Sequence, residues 1–109
     1  MAQILGQGWR DQSSAMKVVW SRRAIRHLIS LRQHIAKDSE ASAALVASRI
    51  LAVIDLLKTQ PDMGRPGRVL GTRELVIVGT PYILPYRVSR QRLELIAIFH
   101  GRQKWPAKL

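Results

Sequence analysis

The chain has 109 residues, of which 47% are apolar, and a formal charge of +11 from 18 Lys+Arg against 7 Asp+Glu. That is the size of one domain able to bury a core without metals or disulfides, and the absence of cysteine excludes a disulfide scaffold, a thiolate metal site and a cysteine nucleophile. With three histidines and no apolar run near the roughly 20 residues that span a bilayer, neither a metal site nor a membrane is expected, and the positive charge points to an acidic or nucleic-acid partner.

Residues 1–15 contain two glycines and little periodicity, so they are expected to form a flexible or accessory segment ahead of one domain over 16–109. They lack the basic start and apolar segment of a signal peptide, which fits a cytoplasmic protein. Organisation begins at Lys17, which makes Met16 a candidate start.

Lys17 to Trp20 is a short β-prone run, suited to joining a later sheet. Ser21 then offers an N-cap to a basic amphipathic helix, with Ile25, Leu28, Ile29, Ile35 and Ala36 on one broad face. Lys37-Asp38-Ser39 is a polar break with capping residues. A second helical pattern follows through Val46, Ile50, Val53 and Leu57, flanked by Ala43, Ala47, Leu51 and Ile54. Two adjacent helices imply a hairpin.

Gln60 to Arg68 is turn-rich because its prolines lack a donor and its glycines permit positive φ. Three strand patterns come next: Thr72 to Val78, Tyr82 to Val88 and Arg92 to Phe99. Short connections make them an antiparallel meander. Pro85 cannot donate to a ladder and predicts an edge, a bulge or local distortion. The fold class is therefore α+β: an N-terminal short strand, a helical hairpin, then a three-stranded antiparallel meander whose one side the helices cover.

From Arg65 onward the basic residues Arg65, Arg68, Arg73, Arg87, Arg90, Arg92, Arg102, Lys104 and Lys108 face only Glu74 and Glu94. One arginine reads most simply as part of a solvated face, whereas nine basic residues against two acids read as a binding surface. Guanidinium groups hold phosphate bidentately and stay charged, so they could also stabilise a phosphoryl-like transition state. Arg73, Arg87, Arg102 and His100 are the candidates for chemistry. His100, at the end of the last strand pattern, could transfer a proton or serve structure or partner contact. His27 and His34 read as surface residues of the first helix. Tyr82, Leu84, Tyr86 and Val88 share one strand face, which reads as core. Trp20 and Trp105 suit either sealing the core or anchoring a partner. Phosphate-loop and serine-elbow patterns are absent.

Trp20-Ser-Arg-Arg-Ala-Ile25, Gly64-Arg-Pro-Gly-Arg68, Gly71-Thr-Arg-Glu-Leu-Val76, Pro81-Tyr-Ile-Leu-Pro-Tyr-Arg-Val88 and Ile98-Phe-His-Gly-Arg-Gln-Lys-Trp-Pro106 resemble the RelE/ParE toxins of type II toxin–antitoxin modules, over about residues 16–106. The resemblance implies a growth-arresting toxin, without cofactor, held in a hetero-oligomer by an antitoxin with an acidic, largely disordered tail. It also implies binding residues among Arg65, Arg68, Arg73, Arg87, Arg102, Lys104 and Trp105. RelE-type members cleave messenger RNA on the ribosome, for which Arg73, Arg102 and His100 are the matching candidates. Trp105 stands near the position of their terminal tyrosine, and an indole is no acid or base at neutral pH. ParE-type members inhibit DNA gyrase without catalysis, and the Gly-Thr-Arg-Glu-Leu and Pro-Tyr-Ile-Leu-Pro-Tyr-Arg-Val strings lie closer to that branch.

Overall fold

The structure, a computed structural model, describes residues 16–109; the expectations for residues 1–15 lie outside the described residues. In chain order it contains β1 (Lys17–Trp20), α1 (Arg22–Ala36), α2 (Glu40–Leu57) and a 3₁₀ turn (Pro61–Met63). Then come β2 (Arg65–Pro66), β3 (Arg73–Val76), β4 (Tyr82–Ser89), β5 (Arg92–Leu95) and β6 (Phe99–His100).

Both helices begin where a serine can satisfy an orphan amide. Ser21 holds extended backbone and its Oγ accepts the Ala24 N–H at 2.9 Å, while Ser39 does the same for Ser42 at 3.0 Å. Ser21 also joins helix to sheet. Its hydroxyl donates to the Ile96 carbonyl at 2.7 Å and its N–H to the Leu95 carbonyl at 3.0 Å.

The α1 face that meets the sheet is rotated from the expected one. Ala24 and Leu31 are buried and Leu28 and Ile35 pack beside them, whereas Ile25 and Ile29 remain 45% and 51% exposed. Two apolar stripes overlap on this helix, and only the sheet decides which one faces inward. On α2 the centre of the expected face holds: Ile50, Ile54 and Leu57 are buried, with Val46 and Val53 against them.

The sheet has six strands in the order β1-β5-β4-β3-β2, with β6 beside β4. β1 runs parallel to β5 and the other pairs are antiparallel. The three-stranded meander is thus its centre. β1 joins as expected, β2 comes from the turn-rich stretch, and the third strand pattern splits into β5 and β6.

Pro85 explains that split, which is the distortion expected near it, although it takes no edge position. It lies inside the central, continuous β4, opposite Glu74 of β3. Its carbonyl accepts the Ile96 N–H at 3.1 Å, so its missing N–H also lies on the β5 side. The ladder breaks in the partner instead, over residues 96–98. The Ile98 N–H, left without a strand partner, donates to His27 Nδ1 of α1 at 3.0 Å.

The helical hairpin covers one sheet face, packing Ile50, Ile54 and Leu57 with Leu84, Tyr86, Leu93 and Leu95. Tyr82, Leu84 and Tyr86 are core as expected, while Val88 is 38% exposed near the strand end. On the opposite face a second cluster forms from Ile96, Ala97 and Phe99 under Trp105 and Leu109.

Candidate functional site

The arginine-bearing sheet is organised around one acid. Glu74 lies on the face opposite the helices, 3% exposed, and its register partner across the ladder is Arg65. Its carboxylate accepts the Arg68 N–H at 2.7 Å, Arg68 Nε at 3.1 Å and Arg65 Nη2 at 3.2 Å. Burial alone pushes this carboxyl up, but the Arg68 amide and guanidinium and the Arg65 guanidinium outweigh it and hold it below the usual range.

The Arg68 guanidinium stacks 3.6 Å from the centre of the Trp105 ring. Trp105 in turn packs 4.6 Å from Phe99, which lies 5.3 Å from the His27 ring, centroid to centroid. A ladder of stacked groups therefore runs from Glu74 across the sheet to α1, and it seals this face with the C-terminal segment.

Arg73 goes to the helix-side end. Its Nη1 donates to the Gly64 carbonyl at 2.7 Å and its Nη2 lies 3.6 Å from Asp62 Oδ1. The same turn is held from below by Tyr86, which is fully buried. Its hydroxyl donates to the Pro61 carbonyl at 2.6 Å and accepts the Gly64 N–H at 2.9 Å. Burial pushes the phenols of Tyr86 and Tyr82 up, so both stay neutral donors near pH 7.

The residues matched to ribonuclease chemistry do not all meet. Arg73 is paired opposite Tyr86 on one flank of β4, and His100 opposite Tyr82 on the other. Those registers lie four positions apart on β4, about 13 Å along the strand alone. Arg102 does lie beside His100, donating its N–H to His100 Nδ1 at 3.1 Å. Arg87 makes a long 3.9 Å ion pair with Glu94, and Arg102 and Lys104 are exposed.

The reading of His27 as a surface residue is corrected: it is partly buried and its Nδ1 lone pair is occupied by Ile98. His34 is exposed as expected. Together His27, His34 and His100 line one cleft of about 360 Å³ with Tyr82. The seven-residue spacing of His27 and His34, two helical turns, is the sequence signal for part of this; the approach of His100 has none. Among the described residues no group of three or more His, Asp or Glu is placed to hold a metal ion.

Burial, and after it the charges of Arg23 and Arg26, lower His27 from its ordinary 6.5. The unfolded chain therefore binds this proton more readily than the folded one. The His27 contribution is complete above 6.5 and is lost as pH falls toward the depressed folded value. In His27→Gln, whose amide oxygen accepts the same bond without titrating, thermal melts between about pH 5 and 7 show a flatter slope than the parent. Parallel slopes would disprove the assignment.

The described residues thus form an α+β domain: a helical hairpin on one face of a mixed sheet, with the C-terminal segment packed on the basic opposite face. A family model described as the ParE toxin of type II toxin–antitoxin system, parDE, matches residues 18–105. The chain is 43% identical over 96 residues to a putative toxin, Y4kP, of Sinorhizobium fredii, covering 88% of this chain and 99% of the relative. It is 33% identical over 85 residues to toxin RelE2 of Caulobacter vibrioides, covering 78% and 94%.

Among solved structures, a chain of the chromosomal ParDE system from P. aeruginosa superposes with a TM-score of 0.71 at 23% identity, covering 80% of this chain and 97% of that one. A chain of the RelBE2 toxin–antitoxin complex from Mycobacterium tuberculosis gives 0.54 at 24% identity, covering 79% and 98%. These two likenesses concern the fold. The chain belongs to the ParE toxin family of type II toxin–antitoxin systems.

Proposed function

We propose that this protein is a ParE-like toxin that arrests growth by binding and inhibiting DNA gyrase, and that a cognate antitoxin with an acidic tail silences it. The observation that carries the non-catalytic part is the separation of Arg73 from His100 and Arg102 across β4. Arg65, Arg68 and Arg73 are also committed to internal acceptors instead of converging on a position where a phosphate could sit. What remains is a basic surface with exposed Arg102 and Lys104, suited to protein contact. A gyrase target places the toxin in the cytoplasm.

One feature favours the alternative, a RelE-like ribosome-dependent messenger endoribonuclease: the cleft that collects three imidazoles next to Arg102. The two readings damage different molecules. Induction without antitoxin is expected to produce DNA breaks and an SOS response while messages stay full length. Rapid messenger cleavage without DNA breaks would replace the first reading by the second.

A further inference from the structure

Two buried side-chain N–H donors have no acceptor among the described residues, Arg23 Nη1 and Trp105 Nε1. Trp105 packs on the cluster of Ile96, Ala97 and Phe99. Arg23 borders the same region, lining a cleft of about 330 Å³ with Arg87, Glu94, Ile96 and Leu109. Among the described residues, neither polar neighbour on the cleft accepts a hydrogen bond from Arg23 Nη1. The Ser21 hydroxyl, also on the cleft, is already used by Ala24 and Ile96, and Glu94 meets Arg87 at 3.9 Å, the outer limit of an ion pair. The cleft thus holds two guanidinium groups against one loosely engaged side-chain carboxylate. A cation kept partly desolvated without an acceptor is unfavourable unless something arrives to pair it.

We propose that this cleft is a subsite for the side-chain carboxylate of a Glu or Asp on an acidic partner segment, with Arg23 as its main donor and Arg87 as a second cation. The inference rests on the antitoxin reading above and adds the place where an acidic residue is captured. Planar guanidinium groups match a carboxylate bidentately. The apolar walls of Val19, Ile96 and Leu109 suit the aliphatic neighbours of such a residue in a peptide. The same walls and the resident Glu94 disfavour a nucleic-acid phosphate flanked by hydrated sugars.

The test uses the full chain in two arms. In the first, sodium acetate and inorganic phosphate are titrated while NMR follows the Arg23 Nε–H and the His27 ring. Acetate is expected to shift both saturably and to raise the His27 titration, because Arg23 charge helps to lower it. Arg23→Gln should abolish the response. No saturable shift, an unchanged response in that variant, or tighter binding of phosphate than acetate overturns the carboxylate assignment.

In the second arm, the toxin is recombined with the antitoxin encoded beside its gene. Arg23→Gln is expected to weaken the complex about tenfold, and Arg22→Gln, exposed on the same helical turn and outside the cleft, by less than about twofold. Arg23→Gln removes an unpaired donor, so its melting temperature should be unchanged or higher, which keeps misfolding from imitating the result. Equal affinity of parent and Arg23→Gln overturns the inference and leaves the antitoxin reading intact. Failure of the parent chain itself to bind any antitoxin overturns that reading, and the partner class proposed here with it, even if the acetate arm succeeds.

Discussion

Replacing Tyr86 by phenylalanine lowers the unfolding free energy by about 3 kcal/mol, because one missing oxygen orphans two backbone groups. The ring stays fully buried, so no apolar area is lost. What is lost is the bond to the Pro61 carbonyl at 2.6 Å and the bond from the Gly64 N–H at 2.9 Å. Gly64 is buried and cannot turn to water, while Pro61 is only half-buried, which keeps the total below the sum of two full desolvation penalties. For a domain of this size the melting temperature falls by about 10–20 °C.

The loss spreads to the arginines, since the turn that Tyr86 supports also holds the Gly64 carbonyl against Arg73. Equilibrium urea unfolding followed by far-ultraviolet dichroism checks it. A change under about 1 kcal/mol would show that another contact secures the turn. Gly64→Ala probes the same joint differently. Its Cβ would lie 2.6 Å from the Tyr86 hydroxyl oxygen and 2.9 Å from the Glu74 carbonyl oxygen, and backbone cannot yield as a flexible side chain can.

Glu74→Gln is expected to cost about 2 kcal/mol at neutral pH, chiefly through its charge-assisted bonds. The amide oxygen can still accept the Arg68 N–H, and Arg65 and Arg68 are about half exposed, so neither is left as a buried charge; this limits the loss. The folded carboxyl is depressed below its ordinary 4.5, so its stabilisation is complete above 4.5 and disappears as pH falls through the folded value. Acid titration of stability should therefore be steeper for the parent than for Glu74→Gln. Since Arg68 stacks on Trp105, tryptophan emission should change in the variant at neutral pH. Identical acid profiles would remove Glu74 as the organiser of this face.

Much of the architecture was written in local chemistry. Ser21 and Ser39 announced their helices because a hydroxyl at that position satisfies an amide that the helix cannot. The run at Lys17–Trp20, too short to stand alone, had to join a sheet, and it does so beside β5. The binding set of Arg65, Arg68, Arg73, Arg87, Arg102, Lys104 and Trp105 was legible as a list of basic and aromatic residues, but its internal division was not. Arg65 and Arg68 serve Glu74, Arg73 serves a turn, and Trp105 lies under Arg68. Arg102 and Lys104 stay exposed. Which cation finds an internal acceptor depends on cross-strand register, and register is a property of pairs of segments.

The sequence by itself determined the α+β order, the helical hairpin and the strand-rich basic half, because caps, turn residues and period-2 or period-3.6 patterns act over a few neighbouring residues; the family showed through the resemblance of short strings such as Gly71-Thr-Arg-Glu-Leu-Val76. Tertiary structure alone decided four things: which stripe of α1 faces inward, how Pro85 passes its missing donor to the neighbouring strand, the burial of Glu74, and the gathering of three histidines in one cleft. Each depends on groups distant in sequence sharing desolvated space, where an unpaired polar atom is costly and the chain must bring a partner to it.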